Sequence, residues 1–196
     1  MMSEAAEDRA RAAELPEGDV IRILLEQHAR VHDLFADIKS ADGDHKQQAF
    51  DELRALLAVH ETAEEMVLRP VSREAAGDAV ADARNHEEEE ANRVLAELEG
   101  MDVAGADFDR MLAEFEKSVS DHAESEETEE FPRVLATCDE EKRAQMGKRL
   151  RAAESMAPTH PHPSTAGSTA AQWAVGPFAS IVDRTRDAIK KAGSSS

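Results

Sequence analysis

The feature that most constrains this chain is a pattern of eleven residues that occurs twice, as HETAEEMVLRP at positions 60–70 and as HAESEETEEFP at positions 122–132. Both copies place two glutamates four and five residues after a histidine, and a proline ten residues after it. Side chains four residues apart share one face of a helix, so each histidine faces the same way as the first glutamate. A further histidine, His28 or His86, precedes each copy. The sequence therefore predicts two similar helix pairs.

Helical spacing of apolar residues runs through the first 155 residues, without the alternation that is typical of strands. The segment Ala41–Asp44 breaks the chain after a first long helix, and the second helix is predicted to stop near Pro70. A third helix is predicted from Ser72 to Glu99, and a fourth that reaches Pro132. Long helices with short connections favour an all-α, up-down antiparallel four-helix bundle.

The two ends of the chain differ from this bundle in composition. Residues 1–15 are expected to be a flexible N-terminus, and residues 16–156 form the bundle, with an extra helix from Asp139 to Met156. Residues 157–172 are rich in Pro, Ser, Thr and Ala and are predicted to be a linker. Residues 173–196 predict a C-terminal amphipathic helix, expected to dock on the bundle, and a tail. Its apolar stripe consists of Phe178, Ile181, Val182, Thr185 and Ile189.

Charge and composition exclude several classes of function. The 196 residues carry a formal charge of −19, which disfavours binding to nucleic acid. The single cysteine, Cys138, excludes an internal disulfide and a cysteine-based zinc site. No apolar run approaches the length of a membrane span, and the N-terminus lacks the apolar stretch of a secretory signal. We therefore expect a cytoplasmic protein with no membrane association, monomeric or weakly dimeric.

Four histidines indicate a functional site, because the spacing of apolar residues predicts that each projects into the bundle from a different helix. Three of them are followed four residues later by a glutamate. Burying so many ionisable groups without a partner would cost several kcal/mol each, and a bound cation offsets that cost. The predicted metal ligands are His28, His60, Glu64, His86, Glu90, His122 and Glu126, with Glu61 as a weaker candidate.

The donor types narrow the choice of metal. Imidazole and carboxylate donors without a thiolate favour iron or manganese over a structural zinc site. The Glu-x-x-His motif of ferritin-like bundles is missing, because no glutamate stands three residues before His60, His86 or His122. The His-Glu-x-x-His motif of zinc proteases is also missing, because the residue four after His60 and after His86 is glutamate.

From about Val20 to Pro132 the chain resembles the hemerythrin-like, or HHE cation-binding, domains. In that family a four-helix bundle holds a non-haem di-iron centre, so the resemblance implies two iron ions with an oxo or hydroxo bridge. The resemblance rests on LLEQHARVHDLF around His28, HETAEE around His60, NHEEEE around His86 and HAESEE around His122.

Roles for the ligands are implied by the same resemblance. Glu64 and Glu126 correspond to the bridging carboxylates. The histidines of the first two helices belong to one iron, and His86 and His122 to the other. Oxygen carriers of the family have a second histidine where Glu90 stands, and an aspartate five residues after the fourth histidine, where this chain has Glu126 at four. Both differences match the bacterial branch better than the oxygen carriers.

The expected function follows from two irons that react with dioxygen or hydrogen peroxide. The leading hypothesis is peroxide decomposition in protection against oxidative stress, with catalase-like activity and no catalytic residue beyond the metal ligands. The alternative hypothesis is a non-catalytic module that binds, stores or senses iron or oxygen. A third is an acidic helical bundle without a metal, whose melting temperature would not depend on metal.

Overall fold

The computed structural model describes residues 3–156 and, near the C-terminus, residues 182–183, 185–187 and 189–190. All regular structure in these residues is helical. The α-helices are α1 (Glu4–Ala13), α2 (Val20–Ser40), α3 (Gly43–Ala63), α4 (Arg69–Ala76), α5 (Asp78–Glu99), α6 (Ala106–Ser125), α7 (Phe131–Thr137) and α8 (Glu140–Met156). Two π-helical segments, π1 (Glu64–Leu68) and π2 (Glu126–Glu130), follow α3 and α6.

Four of these helices, α2, α3, α5 and α6, are 20 to 22 residues long and form the bundle. Only two residues separate α2 from α3, so these neighbours run antiparallel. The predicted all-α four-helix bundle is confirmed. None of the described helices is long and apolar enough to cross a membrane.

The start of α2 is fixed by its cap and by α8. The Asp19 carboxylate accepts a hydrogen bond from the Ile21 amide at 3.0 Å and another from Arg143 Nε at 2.7 Å. Gly147 of α8 lies directly against Gly18, where a methyl group would overlap the Gly18 carbonyl oxygen. The cap satisfies a helix-end amide and the glycine permits close approach, so α8 closes the bundle at this end.

The core consists of two apolar clusters with polar side chains between them. One cluster includes Leu24 and Phe131, and the other is built around Phe35 and Phe115, whose rings meet edge to face at 5.9 Å. His28 lies on α2 between Leu24 and Phe35, and is itself 3% exposed. The buried histidine therefore interrupts the apolar interior near the middle of the bundle.

The N-terminus differs from the flexible segment that the sequence predicts, because α1 packs along α2. Its contact face consists of small or short side chains, with Ala5, Asp8 and Ala12 all buried. Ion pairs from Arg9 to Asp33 and from Arg11 to Glu127 hold it in place. The sequence carries no large apolar stripe here, so periodicity alone did not reveal the packing.

Pro70 does not end its helix, contrary to prediction, and the helical structure that reaches Pro132 as predicted continues beyond it. Proline has no amide hydrogen and its ring clashes with the carbonyl four residues back. Here each proline follows a π segment, in which the Arg69 and Phe131 amides donate to the carbonyls of Glu64 and Glu126, five residues back. The wider π turn accommodates the proline. Short π segments within α-helices are frequent at functional sites. The predicted third helix is instead divided by Gly77, whose φ is 92°.

Part of the C-terminal amphipathic segment lies against the bundle. Thr185 and Ile189 are buried, and Ile189 joins the cluster that contains Leu24. Arg186 Nη2 lies 2.9 Å from Glu65 Oε2, next to the start of π1. The predicted linker, Phe178 and Ile181 lie outside the described residues.

Candidate metal centre

Each π segment begins with a buried glutamate. Glu64 and Glu126 are 0% exposed, and none of their four carboxylate oxygens has a hydrogen-bond partner among the described residues. Buried carboxylates are costly unless paired with a cation or hydrogen-bonded. The donor types and these unpartnered oxygens fit a bound metal ion.

A first group of donors joins α2, α3 and both π segments. Ligand atoms of His28, His60, Glu64 and Glu126 all lie within 4.8 Å of one another, and all four residues are buried. The two imidazoles face each other, with 3.2 Å between His28 Nε2 and His60 Nε2. Each also faces a carboxylate at 3.5 Å, Glu126 for His28 and Glu64 for His60.

The opposite nitrogens of these rings are held by hydrogen bonds. Gln27 Nε2 donates to Glu154 at 2.7 Å, which leaves Gln27 Oε1 to accept from His60 Nδ1 at 2.8 Å. His28 Nδ1 donates to Glu127 Oε1 at 2.6 Å. A donating Nδ1 leaves the Nε2 lone pair free for a metal, as is usual for ligating histidines.

A second group of donors overlaps the first. Ligand atoms of Glu64, Glu88, His122 and Glu126 also lie within 4.8 Å of one another. His122 Nε2 is 3.2 Å from Glu126 Oε1, and its Nδ1 lies 2.9 Å from Glu87 Oε2. Both groups share Glu64 and Glu126. The candidate metal centre comprises His28, His60, Glu64, Glu88, His122 and Glu126.

The structure does not bring His86 or Glu90 into this centre. Their side chains are 70% and 55% exposed, so the prediction that His86 projects into the bundle is wrong. The inward face of α5 is marked by Leu95, which is 0% exposed, and His86 lies nine residues before it, about half a turn away. The prediction used Val94, which is only half-buried, as its reference.

Glu88 is the donor that sequence reasoning missed on α5. It lies seven residues before Leu95 and therefore shares its inward face. The signal was present in the spacing but was hidden within the run of four glutamates, residues 87–90. Glu61, the weaker candidate, is in neither group of donors.

Arg69 is a second missed residue, and it neutralises part of the negative charge. It is 4% exposed, and its Nη1 donates to both oxygens of Glu130 at 2.8 and 3.1 Å. Its Nη2 donates to Glu88 and lies 3.7 Å from Glu126 Oε1. Arg69 stands one residue before Pro70 and Glu130 two residues before Pro132, so the repeat does not mark them as a pair.

Burial and neighbouring charges raise the pKa values of some groups in the centre and lower those of others. Burial and the negative charge of Glu126 raise the pKa of Glu64 well above its usual range. Burial acts on Glu126 in the same direction, but the imidazoles of His122 and His28 hold its pKa well below the usual range. Burial lowers the pKa of His60 to about 3, so its ring is neutral and suited to bind a metal.

A cavity of about 30 Å³ adjoins the centre, which is room for about two water-sized molecules. Burial, followed by the charge of Glu88, raises the pKa of Glu61 in its wall to about 8. Most of the remaining wall is apolar. The lining residues are His28, Val31, His32, Leu57, His60, Glu61, Glu88, Ala91, Val119, His122 and Ala123.

The bundle and its two overlapping groups of donors define a helical protein with a candidate carboxylate-bridged, two-ion site. The family model for the hemerythrin HHE cation binding domain matches residues 19–134, and the chain belongs to this family. The match includes every residue of the candidate metal centre and leaves out α1 and α8.

Three known proteins are similar to this chain. An uncharacterized hemerythrin-like protein of Schizosaccharomyces pombe is 26% identical over 172 residues, which are 86% of this chain and 85% of that protein. A DNA nickase of Nostoc is 27% identical over 138 residues, which are 70% of this chain but only 38% of the nickase. A crystal structure of an HHE cation binding domain-containing protein from Mycobacterium kansasii superposes with a TM-score of 0.63 at 16% identity, covering 87% of this chain and 96% of that one.

Proposed function

We propose that the candidate metal centre holds two iron ions bridged by Glu64 and Glu126. The observation that carries the proposal is that two groups of buried donors share these two carboxylates, whose oxygens have no hydrogen-bond partner among the described residues. Cation binding is the property by which the family is defined. Nitrogen and oxygen donors without a thiolate suit iron.

The proposed reaction is the decomposition of hydrogen peroxide, in protection against oxidative stress, with dioxygen as the other small ligand. When bound, a pair of irons supplies two-electron exchange with a small oxidant. The cavity beside the centre supports this choice, because its 30 Å³ accommodates peroxide or dioxygen.

Metal analysis and oxygen release test this proposal together. We expect about two irons per chain, and oxygen release from peroxide faster than with free iron. His60→Ala should lose both properties, because His60 is a buried donor of the first group. The matched control is His86→Ala, which removes an exposed imidazole and should leave both unchanged. Loss of iron in His86→Ala, or retention of both properties in His60→Ala, would contradict the proposal.

A second candidate function is sensing or storage of iron or oxygen without turnover. The ion pair between Arg186 and Glu65 favours it, because Glu65 directly follows the proposed bridging ligand Glu64. A conformational change in π1 on metal binding would then be transmitted to the C-terminal segment through this ion pair. Two bound irons with no oxygen release above the free-iron rate would favour this candidate over peroxide decomposition. Truncation after residue 156 should then remove the response of a partner and leave the iron content unchanged.

A further inference from the structure

An acidic pocket of about 330 Å³ lies between α1 and the second half of the bundle. Arg11 is the only lysine or arginine among the described residues that line it, and it is paired with Glu127. The pocket therefore carries a strong excess of negative charge, which attracts cations. Its carboxylates are Glu4, Glu7, Asp8, Asp121, Glu124 and Glu127.

Asp8 is the buried carboxylate of this pocket. It is only 5% exposed, and its Oδ2 has no hydrogen-bond partner among the described residues. Burial, followed by the charge of Glu127, raises its pKa, which reflects the cost of leaving this charge uncompensated. The neighbouring Arg9 is paired with Asp33 instead.

His32 supplies a nitrogen donor next to this oxygen. His32 Nε2 lies 3.7 Å from Asp8 Oδ2, and His32 Nδ1 lies 3.3 Å from Glu4 Oε2. A separation of 3.7 Å is too long for a hydrogen bond. Adjacent ligands of one divalent ion, each about 2.1 Å from it, are about 3.0 Å apart in octahedral and about 3.4 Å apart in tetrahedral geometry. A shift of less than about 1 Å therefore brings both atoms to one metal ion.

The acidic pocket is adjacent to the candidate metal centre. His32 and Ala123 line both the pocket and the cavity at the centre. Glu127 also lines the pocket, and its Oε1 lies 2.6 Å from Nδ1 of the metal-centre residue His28. An ion in the acidic pocket is thus separated from the centre by a single layer of side chains.

We propose that the acidic pocket is a transit site for divalent metal ions, where Asp8 and His32 bind Fe²⁺ on its way to the candidate metal centre. The inference rests on the proposed function in one respect, namely that the centre is the destination of the ion. Asp8 and the rest of α1 lie outside residues 19–134, the part of the chain that the family model matches. The ligand Asp8 therefore comes from a helix outside the family match, whereas His32 lies inside it.

The test is the rate at which metal-free protein takes up Fe²⁺ under anaerobic conditions. Samples are desalted at intervals after mixing, and iron per chain is counted by mass spectrometry. We expect Asp8→Asn to slow uptake about tenfold, because electrostatic guidance is lost, and to reach the same final iron content. His32→Gln should slow uptake in the same direction. Asn has the shape of Asp and removes an unpaired buried charge, so folding is not at risk.

The matched control is Asp44→Asn, the same substitution at an exposed site sixteen residues before His60 on α3, about 24 Å away along the helix. It should take up iron at the wild-type rate. Wild-type rates in both Asp8→Asn and His32→Gln overturn the transit site, and so does a lower final iron content in Asp8→Asn at an unchanged rate. Failure of the wild-type protein to take up any iron overturns the proposed function and the transit site with it.

Discussion

The Glu64→Gln substitution should have opposite effects on the metal-free and the metal-loaded protein. The wild-type carboxyl is fully buried with unpartnered oxygens, and burial and Glu126 raise its pKa well above the usual range. Because its pKa is raised, the metal-free folded state binds this proton more tightly than the unfolded state does, and above the ordinary pKa this costs stability. Glutamine keeps the shape and cannot ionise, but it also removes a bridging donor.

The size of both effects follows from this burial. Burying a carboxylate costs several kcal/mol more than burying a neutral amide, and protonation relieves part of this cost, so the metal-free variant should gain about 2 kcal/mol. An ion present at a thousand times its Kd stabilises the folded state by about 4 kcal/mol. In a chain of this length 1 kcal/mol shifts Tm by about 2–4 °C. The metal-free variant should melt about 4–8 °C above metal-free wild type, and the increase on adding metal should fall by at least half.

Thermal melts followed by circular dichroism measure these shifts, with chelator or with two equivalents of Fe²⁺ under anaerobic conditions. A control is Glu114→Gln, the same substitution on an exposed part of α6. The pKa of Glu64 is raised above the ordinary value of 4.5, so the advantage of the metal-free variant should vanish below pH 4.5, where both states are protonated. A lower Tm for the metal-free variant, or no metal-dependent shift in wild type, would refute the reasoning.

Further substitutions test the packing of the bundle and the Arg69–Glu130 pair by thermal unfolding. Gly147→Ala should destabilise the fold by about 1–3 kcal/mol through overlap with Gly18, although alanine favours helices; a rise in Tm contradicts this. Asp19→Ala should cost about 1–2 kcal/mol through loss of the α2 cap, and Asp19→Asn should retain most of the stability. Arg69→Met should cost about 3–5 kcal/mol because it leaves Glu130 buried and unpaired. Adding Glu130→Leu should restore most of that loss, whereas a double variant no more stable than Arg69→Met would contradict the pairing.

Most of the centre could be predicted from the repeat, because residue spacing within a helix determines which side chains share a face. A histidine and a glutamate four residues apart must share a face, and His60, Glu64, His122 and Glu126 all meet in the structure. The order of the long helices followed from the same periodicity. These predictions needed only local spacing.

Predictions failed where local spacing carries little information. On α5, residues 81–90 contain no large apolar side chain, so the inward face is fixed only by Leu95 and Leu98 further along. Using Val94 as the reference residue instead led to the wrong prediction that His86 lies on the inward face. On α1, the buried face is made of alanines and Asp8, and its place depends on ion pairs to distant parts of the chain. Ion pairs between distant parts of the chain produce no periodic pattern in the sequence.

The two overlapping groups of donors differ in a way that makes the metal positions unequal. One offers two imidazoles and two carboxylates, and the other offers one imidazole and three carboxylates. Imidazole selects transition metals, whereas carboxylate-rich sites also accept magnesium, calcium and manganese. The imidazole-rich position should therefore fill first and hold its ion when iron is scarce, while its neighbour exchanges. The proposed two-ion centre would therefore be loaded in two stages, with a half-loaded, mixed-metal form expected as an intermediate.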